Sequence, residues 1–503
     1  MSSLVLRPYQ VAHAAQMDTN ITQHGGYFDC SEPGCGKTVV AAHIALKRRL
    51  PIFVICPASI KSVWERTCAT YGVELKCTMT YSSLAGRTGC ELSHNYLTRI
   101  EDTTGGKKKV TFISTNTTRK LFASGCLVVC DEVQGIKNQS NSFKAVNAFF
   151  SALHTENVRA KKIVAPFALL SGSPFDKVEH ALNFLRVMGV VRATHLYHIN
   201  PTNNQPILKG FEELLTKCNS IDRVKTKDTI QGRIINKHNK NQLCFDLLVK
   251  IVLPAFSGSM IRPVSSDSNH VINNTFYSPP DSDKEAIATA VDRLKTILEF
   301  NEETGINVAK VQGLATILNA IEYSKKNIFL GAAYNKLRVE DTCKVIIAIN
   351  YNNTKEYLKE YLSGYNPLVL DGSVPAKKRQ DVIDDFNNKE EYRILIMNLT
   401  VGSSGIDLHD VVGNAKRYMF ISPTYSMIHV YQAPKRINRE GVKSDTETNV
   451  VYAAGAGQVE ERIFSAINNK SHITRQTLPE NVHDIVELPN SFKTKDDVPV
   501  NVF

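Results

Sequence analysis

The sequence has no long apolar run. None of its 503 residues lies in a stretch that approaches the roughly 18 apolar residues that a membrane-spanning helix needs. The N-terminal segment carries Arg7, Pro8 and Gln10 where a secretory signal needs an unbroken apolar stretch. We therefore expect neither membrane insertion nor secretion.

Cysteine pairs at metal-binding spacing are also missing. The eleven cysteines are an odd number and include no C-x-x-C pair. The sequence therefore favours neither a disulfide framework nor a zinc site. This usage of cysteine fits a reducing compartment inside the cell, the nucleus or the cytoplasm.

Glycine and proline are scarce, at 27 and 19 residues, while 43% of the residues are hydrophobic and 22% are charged. Such a composition excludes a fibrous or disordered chain and predicts a globular protein of two to four domains. We find no solenoid repeat and no low-complexity block.

Positive charge is in excess. The formal net charge is +11, and part of the excess stands in clusters at residues 47–49, 107–109, 159–162 and 377–379. This excess predicts a polyanionic partner. The alternative is that each cluster is only a solvated face, and residues 107–109, next to two glycines, are also typical of a hairpin tip.

Two segments alternate strand-like and helical patterns. In the first, the apolar runs are residues 52–56, 110–114, 126–130 and 167–171; in the second they are 344–350, 367–371, 393–398, 417–422 and 449–453. This order predicts an α/β protein with mostly parallel sheets. We expect a first domain at 1–265, with a helical insertion at about 195–255, and a second at 266–503.

Residues 31–38 (Ser-Glu-Pro-Gly-Cys-Gly-Lys-Thr) precede a helical pattern. Gly34 and Gly36, on either side of Cys35, allow backbone N–H groups to converge on phosphate oxygens. Lys37 supplies a positive charge to the phosphates, and the Thr38 hydroxyl can ligate Mg²⁺. The usual phosphate-loop pattern has glycine where Ser31 stands, and a plain glycine turn is the alternative.

An acidic pair follows the apolar run at 126–130. In phosphate-loop nucleotidases, a carboxylate on a neighbouring strand holds Mg²⁺ and a second one activates the attacking water. Asp131 suits the metal-binding role, and Glu132 suits the catalytic one. A solvated strand end is the alternative.

Taken together, the motifs resemble the superfamily 2 helicases and translocases, and in detail their Snf2-like branch. The resemblance covers nearly the whole chain, and the motifs stand in the family's order. In the first domain the similar segments are residues 6–10, 56–64, 131–138 and 170–174; in the second they are 345–350, 370–379, 398–408 and 432–441.

This resemblance implies two tandem RecA-like lobes that hold ATP and Mg²⁺ between them and grip nucleic acid. The implied catalytic residues are Lys37, Glu132, Arg436 and Arg439, and further nucleotide contacts are Arg7, Gln10, Gly405 and Asp407. The implied nucleic-acid contacts are Ser59, Lys61, Ser171, Gly172, Ser173, Thr400, Gly402 and Ser403. Arg436 and Arg439 stand at i and i+3, so they share a face if this segment is helical. Trp64 is either part of the nucleic-acid motif or plain core.

Two departures from the family bear on how hydrolysis is coupled to movement. Val133 and Gln134 stand where the family has Ala-His or Ala-Asp, and Val442 replaces a glutamine. No segment resembles a histone-reading module. A compact translocase, of the kind that large DNA viruses encode for transcription or repair, therefore fits better than a nucleosome remodeller. A viral origin would place it in a virion or viral factory, with transcription or repair proteins as partners.

Our leading hypothesis is an ATP-dependent motor on nucleic acid, with duplex DNA favoured over RNA. The alternatives are an RNA-directed helicase and a nucleic-acid-binding protein that uses ATP only as a switch. A phosphate-loop kinase needs one domain only, so the second domain argues against it.

Overall fold

The structure is a computed structural model that describes residues 5–86, 92–103, 109–200, 202, 205–260, 269–304, 308–375, 378–402, 406–439, 441–453 and 459–477. These residues form two compact units, 5–260 with 472–477 and 269–471. The predicted boundary between residues 265 and 266 lies outside the described residues and stays a prediction.

The described residues of the first unit contain ten strands: β1 (Gly26–Asp29), β2 (Ile52–Cys56), β3 (Leu75–Thr80), β4 (Leu97–Asp102), β5 (Lys109–Ser114), β6 (Leu127–Asp131), β7 (Phe167–Leu170), β8 (His198–Ile199), β9 (Pro206–Ile207) and β10 (Ser257–Gly258). Six of them form a parallel sheet, while β4 with β5 and β8 with β9 form two antiparallel pairs. The sheet order is β10-β1-β7-β6-β2-β3. Strands β1, β2, β6 and β7 are buried along their whole length, as expected of a parallel sheet covered on both faces.

Helices cover this sheet and form the predicted insertion. They are α1 (Pro8–His24), α2 (Lys37–Arg48), α3 (Lys61–Tyr71), α4 (Tyr81–Ala85), α5 (Asn116–Ala123), α6 (Asn141–Arg159), α7 (Ala181–Val187), α8 (Lys209–Ile221), α9 (Arg223–Ile230), α10 (Lys240–Leu247) and α11 (Leu253–Phe256). Short 3₁₀ turns lie at Ala58–Ile60, Val133–Ile136 and Val178–His180, and a π turn lies at Leu248–Val252. Helices α8 to α11 occupy the segment where the sequence predicts a helical insertion.

One predicted strand has a different partner from the one expected. Residues 110–114 form β5, but β5 pairs antiparallel with β4 in a separate two-stranded sheet. Its residues alternate between exposed and buried, which suits a ribbon with one face on the core rather than a doubly covered sheet. Strands β1, β3 and β10 complete the main sheet and were not predicted.

The second unit repeats the architecture. Its strands are β11 (His270–Tyr277), β12 (Lys344–Ile349), β13 (Leu368–Leu370), β14 (Ile394–Asn398), β15 (Arg417–Ile421) and β16 (Thr446–Ala453). They are parallel, in the order β11-β16-β15-β12-β14-β13. All five apolar runs of this segment are strands, and β11 joins the edge. The α/β prediction with two parallel sheets is confirmed.

The helices of the second unit follow its strands. They are α12 (Asp281–Thr304), α13 (Val308–Ser324), α14 (Lys326–Val339), α15 (Asn352–Tyr361), α16 (Arg379–Asn388), α17 (Leu399–Gly402), α18 (Met427–Gln432), α19 (Pro434–Ile437) and α20 (Val459–Thr477). A 3₁₀ turn lies at Ser363–Tyr365. Across the described part of the chain, no helix combines the length and apolarity that crossing a membrane requires.

Candidate active site

Four predicted groups of the first unit follow the carboxyl ends of neighbouring strands. Residues 31–38 follow β1, Ser59 and Lys61 follow β2, the acidic pair ends β6, and residues 171–173 follow β7. Strands β1, β7, β6 and β2 are adjacent in the sheet. Since the carboxyl ends of parallel strands share one edge, the topology gathers these groups where open α/β sheets bind their ligands.

The glycine loop needs both of its glycines. Gly34 and Gly36 have φ of +90° and +84°, in the left-handed region. A Cβ on Gly36 would lie 2.4 Å from Gln10 Nε2. Helix α2 begins directly after Gly36, so its free N–H groups open onto the loop, with the partly exposed Thr38 in its first turn. The loop can therefore cradle an anion.

The Lys37 side chain folds back onto the glycine loop. Its ammonium donates to the carbonyl oxygens of Ser31, at 2.9 Å, and of Glu32, at 3.1 Å. Charge-assisted hydrogen bonds to a phosphate are stronger than bonds to neutral carbonyls. A phosphate in the cradle can thus draw the ammonium away from both carbonyls.

Ser31, which breaks the glycine pattern, anchors the loop to the segment that follows strand β10. Its hydroxyl accepts a hydrogen bond from the backbone N–H of Met260 at 2.7 Å, and its own N–H donates to Asp29 Oδ1 at 2.9 Å. Asp29 also pairs with His13 Nε2 at 3.0 Å. Burial alone favours the neutral carboxyl, but His13 and Lys37 outweigh it and hold the pKa of Asp29 below its usual range.

Gln10 joins the start of α1 to the glycine loop. Its Nε2 donates to the carbonyl of Cys35 at 2.9 Å, and its Oε1 accepts from the N–H of Arg7 at 3.0 Å. One donor and one acceptor of the amide are left over for a ligand. Gln10 is buried and Arg7 is exposed. Their contacts with the nucleotide base stay a prediction.

The acidic pair is buried and held by three hydrogen bonds around Asp131. Trp64 Nε1 donates to Asp131 Oδ2 at 2.9 Å, the N–H of Glu132 donates to Oδ1 at 2.9 Å, and the Tyr81 hydroxyl donates to the Asp131 carbonyl at 2.8 Å. Glu132 has φ of +52°, a strained backbone for a residue with a side chain. Trp64 is fully buried and therefore positions the carboxylate rather than contacting nucleic acid.

The ionised form of the Asp131 carboxyl is destabilised at this buried position. Burial and the neighbouring Glu132 raise its pKa to about 7, against the opposing effects of Trp64 and Lys37. A buried carboxyl of this kind suits a divalent cation, whose charge favours the ionised form. No group of three or more His, Cys, Asp or Glu residues in the described ranges could hold a metal ion. The binding of Mg²⁺ by Thr38 and Asp131 stays a prediction, in which water and phosphate supply the further ligands.

Asp131→Asn is expected to flatten the dependence of thermal stability on pH in the ligand-free protein. Because the folded-state pKa is raised, the contribution of the Asp131 carboxyl to stability is greatest at low pH and falls as the pH rises from about 4 to 7. The neutral asparagine removes this slope, which amounts to about 1–3 kcal/mol between pH 5 and 8. Tm at both pH values, with the exposed Asp228→Asn as control, measures the difference. Parallel curves for wild type and Asp131→Asn would contradict the assignment.

Gln134 links the acidic pair to the loop after β7. Its Nε2 donates to Glu132 Oε2 at 2.6 Å, and its Oε1 accepts from the Ser171 hydroxyl at 2.6 Å. Ser171 in turn accepts from the N–H of Ser173 at 3.1 Å. The sequence marks Gln134 only as a departure from the family. The structure makes it a bridge between Glu132 and residues 171–173.

Residues 171–173 are buried beneath the glycine loop. Ser171 and Ser173 are both 0% exposed. A Cβ on Gly172 would lie 2.8 Å from Pro33 Cδ, so only glycine fits this close approach. Direct contact of these residues with nucleic acid stays a prediction, and their position favours a connecting role.

If the chain hydrolyses ATP on nucleic acid, as the resemblance implies, Gln134→Ala is expected to reduce the stimulation of hydrolysis by nucleic acid about tenfold, since 10²-fold is the low end for a correctly positioned base. We expect this loss because alanine cannot form the two hydrogen bonds by which Gln134 connects Glu132 to Ser171. Steady-state hydrolysis with and without DNA measures it, with the exposed Gln231→Ala as control. Unchanged stimulation, or a loss confined to ATP affinity, would contradict this role.

Ser59 and Lys61 lie where the resemblance requires, beside the end of β2. Ser59 is partly exposed, and the Lys61 side chain is 45% exposed, with Glu65 3.9 Å away. Their role in nucleic-acid binding stays a prediction. Lys137, by contrast, is engaged, because its ammonium donates to Asp176 Oδ2 at 2.7 Å.

In the second unit, the turn after β14 carries the predicted nucleic-acid residues. Asn398 Oδ1 accepts from the N–H of Thr400 at 3.0 Å, which caps the short helix α17. Thr400 is exposed. A Cβ on Gly402 would lie 2.3 Å from Met397 Sδ, so a larger residue at this buried position would have to displace the Met397 side chain. Ser403 and Gly405 lie outside the described residues.

The two predicted arginines do not share a helical face. Helix α19 ends at Ile437, and Asn438 leaves the helical conformation with φ of −111° and ψ of 88°. The condition for a shared face, a helix that runs through both residues, is therefore not met, because the helix stops between the arginines. Arg436 is 2% exposed, and its carbonyl accepts from the N–H of Leu408 at 3.0 Å. The Arg439 guanidinium contacts the Asp407 carboxylate, so the structure brings these two predicted residues together.

Glu322 is a residue that sequence reasoning missed. Its buried carboxylate accepts from the Asn350 N–H at 2.9 Å, from Asn350 Nδ2 at 2.8 Å and from the Tyr351 N–H at 2.8 Å. Burial raises the pKa of Glu322 despite the nearby Lys325. It fixes the carboxyl end of β12. No sequence signal separates it from the other glutamates of helical segments.

Comparison with known proteins extends these observations. Residues 326–441 match the model of the helicase conserved C-terminal domain. A putative ATP-dependent RNA helicase of Acanthamoeba polyphaga mimivirus is 23% identical over 480 residues, which cover 93% of this chain and 83% of that protein. The DNA repair and recombination protein RAD54 of Saccharomyces cerevisiae is 28% identical over 181 residues, 35% of this chain and 19% of that protein. The Sulfolobus solfataricus SWI2/SNF2 ATPase core in complex with dsDNA aligns over 94% of this chain and 97% of that one, at 14% identity and a TM-score of 0.31.

Proposed function

We propose that the chain, which resembles the Snf2-like branch of the superfamily 2 helicases, is an ATP hydrolase that uses hydrolysis to move along nucleic acid. The observation that carries the proposal is the gathering of the glycine loop, the buried acidic pair and residues 171–173 at one sheet edge. Their connection through Gln134 supports coupling between the acidic pair and another motif.

In the proposed reaction, water attacks the γ-phosphorus of ATP, and ADP leaves. The glycine loop and Lys37 hold the β- and γ-phosphates. Thr38 and Asp131 hold Mg²⁺, which neutralises the charge of the phosphates when it is bound. The Glu132 carboxylate takes a proton from the attacking water, and Gln134 orients that carboxylate.

The remaining nucleotide contacts are proposed from the family resemblance. Arg436 and Arg439 neutralise negative charge that develops on the transferred phosphoryl group. Gln10 reads the base, with Arg7 beside it. Gly405 and Asp407 complete the proposed contacts.

Duplex DNA is the proposed track, because the motifs resemble the Snf2-like set most closely. The proposed contacts go mainly to phosphates, so binding is salt-dependent and weakly sequence-specific. The mimivirus relative is named an RNA helicase, and this observation keeps RNA as the second candidate. RAD54 is named a DNA repair and recombination protein, which supports a repair role as a further proposal.

Steady-state ATP hydrolysis by the purified chain at low salt tests the proposal. The four conditions are no nucleic acid, duplex DNA, single-stranded DNA and RNA. We expect the largest stimulation with duplex DNA, and displacement of a third strand from a DNA triplex then reports movement. Stimulation by RNA alone would change the proposed substrate from duplex DNA to RNA. A rate indifferent to every nucleic acid would contradict the motor and favour an ATP switch.

A further inference from the structure

A large groove opens on the first unit, apart from the proposed active site. Its volume is about 1110 Å³, and β5, α5, α6, α7, residues 194–197 and the start of α10 line it. None of the residues proposed to contact ATP or Mg²⁺ lines this groove. The reaction proposed above therefore gives it no role.

Positive charge dominates the lining. Six lysine and arginine side chains line the groove: Lys109, Arg119, Lys144, Arg159, Arg186 and Lys240. Glu156 is the one carboxylate among the lining residues, and it pairs with Arg159 at 3.6 Å. No described carboxylate forms an ion pair with any of the other five cations. Five formal charges thus face the groove without compensation, and such a cleft concentrates anions.

Arg186 is a lining cation whose polar atoms are only partly satisfied by the protein. Its guanidinium lies over the Phe143 ring, 5.4 Å from the centroid, and its Nε is buried without a hydrogen-bond partner. An unsatisfied buried donor of this kind is rare and calls for a ligand or a function. Burial lowers the pKa of Arg186. Burial, His198, Lys240 and Arg186 together lower the pKa of His195 on the same wall, as expected where cations are crowded.

One residue from each of two basic clusters lines the groove. The proposed reaction gives neither cluster a role. Lys109 ends the cluster at 107–109, and Arg159 begins the cluster at 159–162, yet both line this groove. On α6, Asn147, Ser151 and Thr155 follow at i, i+4 and i+8 and present one polar face between them. The cations therefore lie on both sides of a polar helix face. They are spread along the groove rather than gathered at one point.

We propose that this groove binds the phosphodiester backbone of a nucleic-acid strand, as a contact site separate from the one that drives hydrolysis. Its volume exceeds the roughly 300–1,000 Å³ that is usual for small-ligand pockets. Its cations come from several elements, as suits a chain of phosphates rather than one anionic group. Lysine and arginine contacts to phosphate carry no sequence information, so the groove holds any strand.

The triple variant Arg119→Ala/Lys144→Ala/Lys240→Ala tests the proposal. Fluorescence anisotropy with labelled single-stranded and duplex DNA, without ATP, gives Kd over a series of salt concentrations. We expect Kd at low salt to rise at least tenfold. The slope of log K against log[salt] should fall by about two to three units, since each lost phosphate contact removes about 0.7–0.9.

The matched control removes three exposed cations of α9, which lie in the same unit and do not line the groove: Arg223→Ala/Lys225→Ala/Lys227→Ala. Its salt slope should stay within one unit of wild type. Thermal unfolding, with Tm of both variants expected close to that of the wild type, verifies their folding. A second variant, Arg119→Glu, should weaken binding further than Arg119→Ala.

Equal salt slopes in the groove variant and the wild type would overturn the proposal. Tight binding of inorganic tripolyphosphate that the groove variant alone loses, with DNA binding intact, would also overturn it in favour of a small-anion site. These readings do not depend on hydrolysis. An absence of ATPase activity in the wild type would contradict the proposed function and leave the groove test valid.

Discussion

Glu132→Gln is expected to lower kcat for ATP hydrolysis by about 10²–10⁴-fold, the usual contribution of a positioned general base. The amide keeps the size of the side chain but cannot accept the proton of the attacking water. The Glu132 backbone and the hydrogen bond of its N–H to Asp131 are untouched. ATP affinity should therefore remain within a few-fold of wild type.

Lys37→Ala is compared with Glu132→Gln because the two variants should differ in ATP binding. Lys37 is the proposed phosphate ligand, so its loss should weaken ATP binding as well as hydrolysis. Equilibrium binding of a fluorescent ATP analogue and single-turnover hydrolysis separate the two effects. The exposed Glu179→Gln serves as a control for loss of one carboxylate. Wild-type kcat in Glu132→Gln would remove this residue from the mechanism.

The second large effect is expected at Arg436. Arg436→Ala should lower kcat by about 10³–10⁵-fold if its guanidinium acts on the transferred phosphoryl group as arginine fingers do. Arg436→Lys keeps the charge but loses the planar fork of donors, so it should recover activity only in part. ATP affinity should change much less than kcat in both variants.

Arg439→Ala provides the comparison within the same motif. Its guanidinium already contacts the Asp407 carboxylate, which offsets part of its charge, so we expect a smaller loss than for Arg436→Ala. Because Arg436 is buried, thermal unfolding of each variant must accompany the kinetics. A greater loss at Arg439 than at Arg436 would contradict this ranking.

Much of the fold followed from the sequence because buried parallel strands are continuous apolar runs. Residues 52–56 and 344–350 show this, as β2 and β12 have those bounds within one residue. The prediction was wrong for the pairing of residues 110–114, since a strand's partner depends on the whole sheet and not on its own pattern. A common face for Arg436 and Arg439 required a helix through both residues, and only the structure shows that the helix stops at Ile437.

The sequence by itself determined the chemistry and its order: a glycine loop with Lys37, an acidic pair after an apolar run, and arginines near the end of the second unit. These depend on residue type and local spacing. Only the tertiary structure decided which side chains meet. Trp64 reaches Asp131 across 67 positions, and Ser171 reaches Gln134 across 37. Such contacts depend on strand order and burial, and so does the clustering of cations in the groove. Local spacing encodes none of them.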